Sequence, residues 1–381
     1  MTRDGPMSAR RWPALDGLRG VAILLVLGHN VTPLNDATSL FGRVSVLTLD
    51  VGWIGVQLFF VLSGFLITRS LLDAQASPTY YRDFFVRRAL RIFPLYYGAL
   101  LLCFVVLPAL GALPQAFHEE EWQERWMWLF LYNWTLPYGG AHSQLPHFWS
   151  LSVEEQFYLL WPFVLHRRTP RQILCVCLST ALVALLIRLG MRLAHLDPEA
   201  VYSFSVCRMD AMALGGLAAA MTRLPHTWQK VLVGRRFLWP GAIGLFVGGM
   251  LITHSAYART ELLSQVVGYS VLAVVFMLVV LAAVAADELG RGAWLRALPL
   301  RTFGKYSYGI YVIHKPLHDL LGARYLAAHG LKPTTSPLVG WCYVVVFSFV
   351  TLMLAMAIYH LFEIRFLALK TRFGGAPQTA Q

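Results

Sequence analysis

Charged residues are scarce in this chain of 381 residues: Asp, Glu, Lys and Arg make up 14%, whereas a soluble domain has about 25%. Hydrophobic residues make up 57%, and the mean hydropathy is +0.56. This composition excludes a soluble globular protein, a disordered chain and a coiled coil. The apolar runs are about 17 to 25 residues long, the length of membrane-crossing helices rather than of barrel strands. The sequence therefore predicts an all-α polytopic membrane protein.

Cysteine is also scarce, and none of the five cysteines forms a CxxC pair or a Cys/His ligand spacing. All lie in apolar runs, so we expect core thiols, with no disulfide framework and no metal site. Acidic residues are fewer than basic ones, 20 against 32, which gives a formal charge of +12. In a membrane protein such an excess indicates orientation, and no nucleic-acid partner is expected.

Ten apolar runs predict about ten spans, at 14–33, 51–72, 91–111, 147–165, 172–190, 204–221, 237–253, 264–285, 305–321 and 338–361. Lys and Arg concentrate in the loops that share a side with both termini, which the positive-inside rule places in the cytoplasm. We therefore expect a multi-pass protein of the cytoplasmic (inner) membrane whose first helix is not a cleaved signal. One membrane domain is expected over 1–366, and a short polar cytoplasmic tail over 367–381.

The first predicted span contains two ionisable residues, Arg19 and His29. Such residues are costly inside a membrane, so each marks a candidate functional site. Ten residues of helical rise separate them by about 15 Å, too far for direct contact. A neutral imidazole at this depth can act as a general base on a hydroxyl, and a histidine that caps the helix end is the alternative.

An arginine cluster precedes the third predicted span, formed by Arg87, Arg88 and Arg91. Arg88 and Arg91 share a helix face because they are three positions apart. Guanidinium forks suit phosphate groups, and a positive-inside anchor or a lipid headgroup contact is the alternative. Farther on, Glu154 and Glu155 lead into an apolar helix, where successive side chains point about 100° apart, so at most one faces a given site.

Two further patterns concern helix faces. Ser307, Tyr311 and His314 form one stripe, which is either part of a site or an aromatic packing face with a satisfied histidine. In segment 55–64, glycines and Ser63 permit close helix approach. Ser63 is interpreted as a packing or hydrogen-bonding residue rather than a nucleophile, because no histidine lies near it in the sequence.

Five segments together resemble the acyltransferase-3 family of integral membrane O-acyltransferases, over most of the chain. They are LDGLRGVAILLVLGH at 15–29, GVQLFFVLSGFLI at 55–67, RRALRIFP at 87–94, FWSLSVEEQFYLLWP at 148–162 and GKYSYGIYVIHKP at 304–316. The resemblance implies transfer of an acyl group, commonly acetyl, from acyl-CoA to a hydroxyl of a saccharide or glycosylated acceptor. It implies acyl-CoA as a donor substrate and no tightly bound cofactor.

The resemblance also implies roles for single residues. His29 matches the catalytic histidine, and Glu154 and Glu155 occupy the family's acidic pair. As a hypothesis of mechanism, we expect Glu154 or Glu155 to orient the reacting groups. The expected acyl-CoA-binding residues are Arg19, Arg87, Arg88 and Arg91. The expected site-shaping residues are Gly55, Phe60, Ser63, Ser307, Tyr311 and His314.

The chain departs from the family pattern at three points. Nine residues separate Arg19 and His29 where the family usually has ten, so either the helix is distorted or the pair does not share a face. The segment FEIRF lacks the usual proline after the glutamate, so Glu363 is assigned no role. Some members carry a fused hydrolase-like domain, for which no residues remain here. Transfer is therefore expected in the membrane domain, or with a separate envelope acyltransferase or glycan-assembly protein as partner.

Two other classes of function remain open from the sequence. A secondary transporter of an anionic or acylated solute would also need ionisable residues at mid-membrane depth. Ten spans whose halves do not resemble each other count against it. The third class is a non-catalytic membrane partner in an envelope assembly complex.

Overall fold

The computed structural model describes residues 12–32, 34, 39–111, 121–138, 145–253, 257–322 and 336–372. Its regular elements are helices, and the prediction of an all-α polytopic membrane protein is confirmed. By length and composition, eight described stretches can cross a membrane: Pro13–Val31, Leu40–Ala74, Tyr80–Ala109, Pro170–Leu193, Pro198–Thr222, Pro225–Thr253, Ser264–Glu288 and Pro337–Ala368.

The helices are numbered in chain order. They are α1 (Pro13–Val31), α2 (Leu40–Asp50), α3 (Ile54–Ala74), α4 (Tyr80–Leu101), α5 (Glu121–Trp128), α6 (Phe148–Leu165), α7 (Pro170–Leu193), α8 (Pro198–Ser203), α9 (Ser205–Thr222), α10 (Pro225–Gly234), α11 (Leu238–Thr253), α12 (Tyr269–Glu288), α13 (Leu298–Lys305), α14 (Ser307–Leu317), α15 (Pro337–Ile358) and α16 (Ile364–Ala368). Proline occupies one of the first two positions of α1, α7, α8, α10, α13 and α15, where its missing N–H costs no hydrogen bond.

Helices α3 and α9 form the centre of the bundle. Helix α9 packs against α3 and α7, α1 packs against α3 and α13, and α12 packs against α11, α9 and α3. The small residues at 213–220 let the α9 backbone approach α3 closely, as is usual between membrane helices. The peripheral helices instead expose side chains such as Leu182, Leu251 and Phe349, which suits contact with lipid.

Two of the ten predicted spans, 147–165 and 305–321, are not among the eight stretches. Helix α6 covers the first, and its polar run Glu154–Gln156 lowers its hydropathy. The second is interrupted at Tyr306, between α13 and α14. The number of spans and the cytoplasmic placement of the termini therefore stay predictions.

The cysteines divide between the core and the outer surface. Cys103, Cys177 and Cys207 are buried, as expected, but Cys175 and Cys342 are exposed. The expectation of core thiols is wrong for these two, because an apolar run in a membrane helix has one face toward the core and another toward lipid.

Candidate functional site

His29 lies in the last turn of α1, against the short turn that joins α2 to α3. A Cβ added to Gly52 in this turn would overlap the carbonyl oxygen of Leu25 and lie 3.1 Å from the Cβ of His29. Asp50 and Arg259 are the charged side chains that act on the imidazole electrostatically. Its Nδ1 is buried and has no hydrogen-bond partner among the described residues. The imidazole is thus half-buried beside a carboxylate and retains one free ring nitrogen.

We expect Gly52→Ala to lower acyl transfer by about two orders of magnitude, because a displacement of about 1 Å at a catalytic group can cost that much. The added methyl group must push the turn away from α1 or move the imidazole. Initial rates in membranes that hold equal amounts of protein test this expectation. Gly98→Ala is the matched control, because the Cβ position at Gly98 has open space around it.

A fully buried cation, Arg208, lies near the start of α9. Its side chain is fully buried, and its Nη2 donates a hydrogen bond of 2.7 Å to Oε1 of Gln57. The guanidinium carbon lies 4.3 Å from the ring centre of Tyr269 and 5.7 Å from that of Phe60. Nε and Nη1 have no partner among the described residues. The predicted site-shaping residue Phe60 therefore helps to form an aromatic cage around a cation.

Tyr202 connects this cage to the charged groups near His29. The guanidinium carbons of Arg208 and Arg259 lie 5.4 Å and 5.2 Å from its ring centre. Arg259 pairs with Glu199 at 3.2 Å, and it is also an electrostatic neighbour of His29. His29, Arg208 and Arg259 therefore belong to one layer of the protein, which we call the histidine layer.

Glu154 and Glu155 lie elsewhere, toward the arginines. Ser63 donates a hydrogen bond to Glu154. Glu154 acts electrostatically on both Arg19 and Arg88, and Glu155 acts on Arg88. Oε1 of Glu155 is buried and has no partner among the described residues. The carboxylate that acts on His29 is that of Asp50, whereas the sequence led us to expect Glu154 or Glu155 there.

The predicted phosphate-binding arginines do assemble with Arg19. Arg91 and Arg19 act on each other electrostatically, and Arg91 also acts on Arg88. The guanidinium carbon of Arg88 lies 5.5 Å from the ring centre of Tyr158. We call Arg19, Arg87, Arg88 and Arg91 the arginine cluster. Helix α1 runs unbroken between the cluster and the histidine layer.

Two residues near the end of the described chain join the arginine cluster. Glu363 is 9% exposed, and Arg91 is its strongest charged neighbour. Lys370 follows α16 and is close to Arg91, Arg88 and Arg87. Burial and then repulsion by these arginines lower the pKa of Lys370 to about 7. Glu363 was assigned no role from the sequence, and Lys370 carried no motif.

Ser307, Tyr311 and His314 are all buried, and Tyr311 and His314 pack against the start of α6. The Tyr311 hydroxyl lies 2.5 Å from that of Ser150, and the His314 ring centre is 4.7 Å from that of His147. Pro316 has no backbone N–H to donate to the carbonyl oxygen of Val312. That oxygen lies 3.3 Å from Nε2 of His147 instead. Nε2 of His314 is buried without a partner in the described part of the chain.

Gly55 lies where α3 crosses α1, and a Cβ there would come within 3.0 Å of side chains of Leu25 and Val26. This packing is the close helix approach expected of the glycines in this segment. It holds the GVQLFFVLSG segment against the helix that carries both Arg19 and His29.

The fold and these two charged layers define a polytopic membrane protein with ionisable groups at both ends of one buried helix. A family model described as an acyltransferase domain matches residues 12–360, and the chain belongs to this acyltransferase-3 family. No solved structure matches it.

Curated relatives include the O-acetyltransferase OatA of Staphylococcus aureus (strain NCTC 8325 / PS 47), 27% identical over 84% of this chain and 52% of the relative. The peptidoglycan O-acetyltransferase OatA of Listeria monocytogenes serovar 1/2a is 26% identical over 84% of this chain and 51% of the relative. The chain thus spans about half the length of the curated relatives it matches.

Proposed function

We propose that this protein transfers an acyl group, with acetyl as the first candidate, from acyl-CoA to a hydroxyl of a cell-envelope saccharide. The observation that carries the proposal is the arrangement along α1, with His29 at one end and Arg19 in the arginine cluster at the other. This arrangement supports a donor site at one end of the buried helix and a general base at the other. The names of the relatives favour a peptidoglycan-type acceptor.

The donor end of this proposal is the arginine cluster. Arg88, Arg91 and Lys370 bring several cations together, and Glu363 is the carboxylate nearest to Arg91. Without a ligand, the cations of this cluster repel one another, and the phosphates of acyl-CoA would reduce that repulsion. The pantetheine arm would then extend along α1 toward the histidine layer.

The chemical step is assigned to His29. Its free nitrogen takes the proton of the acceptor hydroxyl as the oxygen attacks the thioester carbonyl. The carbon–sulfur bond then breaks, the new ester forms, and the departing CoA thiolate takes the proton back from the imidazolium. Asp50 is assigned to stabilise that imidazolium. Arg208 supplies positive charge in the same layer as negative charge develops on the carbonyl oxygen.

Purified protein in lipid vesicles tests this function. Acetyl-CoA labelled in the acetyl group is supplied with peptidoglycan fragments, and both free CoA and esterified label are measured. We expect the two to appear together in equal amounts. Accumulation of label inside the vesicles without release of CoA would support a transporter instead. If neither free CoA nor esterified label appears with any supplied acceptor, the proposal is contradicted.

The acyl-CoA concentration for half-maximal rate should depend on pH through Lys370. With a pKa of about 7, Lys370 is mostly charged at pH 6 and mostly neutral at pH 8. The KM for acetyl-CoA should therefore rise severalfold over this interval. In Lys370→Arg the charge persists at both pH values, so the rise should be much smaller. An equal rise in the two proteins would remove Lys370 from the donor site.

A further inference from the structure

A cavity of about 510 Å³ opens where α10 meets α11 and the end of α12, and none of its lining residues belongs to either charged layer. Arg235, Arg236 and Arg291 line its rim, and none of its lining residues is acidic. Ala282 and Ala285 form a small-residue floor, which leaves room for an apolar chain. The cavity thus combines three positive charges with an apolar slot.

The carboxylates closest along α12 are engaged elsewhere. Asp287 accepts a hydrogen bond of 2.7 Å from the backbone N–H of Ala14. Glu288 accepts one of 2.7 Å from the indole of Trp228. Both carboxylates therefore accept hydrogen bonds from groups that do not line the cavity.

The side chains around the cavity are also typical of a membrane interface. Arg235 donates a hydrogen bond of 2.7 Å to the carbonyl of Leu232, which orients its guanidinium at the end of α10. Trp239 lines the cavity and lies 5.7 Å, ring centre to ring centre, from Trp294. Tryptophan is enriched at membrane–water interfaces because its ring is apolar and its N–H is polar. The cavity therefore has the side chains that are typical of headgroup depth.

We propose that this cavity binds the headgroup of an anionic phospholipid, with its phosphate on the three arginines and its first methylene groups on the alanine floor. Basic pockets between membrane helices suit anionic headgroups for this reason. The apolar floor favours a lipid over a free phosphate compound. The site shares no residue with the arginine cluster or the histidine layer, so this proposal is independent of acyl transfer.

Thermal unfolding in neutral detergent tests the site. Phosphatidylglycerol should raise the Tm of the wild type, whereas phosphatidylcholine and glycerol 3-phosphate at equal concentration should not. In the triple variant R235Q/R236Q/R291Q, the phosphatidylglycerol concentration for half the shift should increase on the order of tenfold or more. The matched control is R167Q/R168Q/R171Q, which removes three charges from another loop and should respond as the wild type does.

The remaining outcomes overturn the proposal. An unchanged response of the cavity variant would show that lipid does not bind there. An equal loss in both triple variants would show that only the total charge matters. A glycerol 3-phosphate shift equal to that of the lipid would show a phosphate site without a lipid. Displacement of the lipid by acetyl-CoA would assign the cavity to the donor.

Discussion

His29→Ala should reduce acyl transfer by about 10²- to 10⁴-fold, the usual contribution of a general base. The Nδ1 of His29 has no hydrogen-bond partner among the described residues, and alanine leaves no imidazole to accept the proton. The measurement is the initial rate of saccharide acetylation at saturating acetyl-CoA. Binding of the donor should change little, because the arginine cluster is about 15 Å away along α1.

His226→Ala is the matched control for this variant. His226 is an exposed residue of α10, so its removal should leave both the rate and the amount of folded protein unchanged. A His29→Ala protein that retains more than a tenth of the wild-type rate would remove His29 from the chemical step.

Arg91→Gln should raise the KM for acetyl-CoA about 10- to 100-fold and leave kcat within a few-fold. A hydrogen bond to a charged group contributes about 1.5 to 3 kcal/mol, and about 1.4 kcal/mol corresponds to a factor of ten. Arg91 is the central member of the arginine cluster, since it neighbours Arg19, Arg88, Glu363 and Lys370. Steady-state kinetics over a wide range of donor concentration measure the effect.

Arg168→Gln serves as the comparison, because Arg168 is an exposed arginine in another loop on the predicted cytoplasmic side. Its KM should remain that of the wild type. If Arg91→Gln lowers kcat instead and leaves the KM unchanged, Arg91 does not bind the donor.

Local sequence patterns were sufficient for the class of fold and for the grouping of Arg88 with Arg91. The hydropathy of each span and the spacing of Arg88 and Arg91 depend on residues a few positions apart, which a helix brings together predictably. The nine-residue separation of Arg19 and His29 was also informative. Helix α1 is continuous from Pro13 to Val31, so local distortion does not compensate for the missing residue.

The residues that the sequence did not reveal come from distant parts of the chain. Asp50 reaches His29 because α2, which the sequence analysis did not predict, ends beside α1. Arg208 lies in a cage to which Phe60, Trp149 and Tyr269 all contribute, and no linear motif contains them together. Their positions depend on how helices pack, which the spacing within one helix does not determine.

Lys370 was placed by the sequence in a short polar tail, but the described part of that tail, up to Arg372, packs against α4. A polar composition was the only available signal, and it does not distinguish a solvated tail from one whose cations join a buried cluster. The loss of proline after Glu363 had likewise suggested no role for a carboxylate that lies beside Arg91.

The most direct test of the account encloses labelled acetyl-CoA within vesicles that contain the wild-type protein or His29→Ala, and supplies peptidoglycan fragments outside. Only protein molecules whose arginine cluster faces the enclosed donor can then use it. We expect alkali-labile label on the outer saccharide with the wild type, matched by free CoA inside, and neither product with His29→Ala. Equal labelling by the two proteins, or labelling without release of CoA, would contradict it.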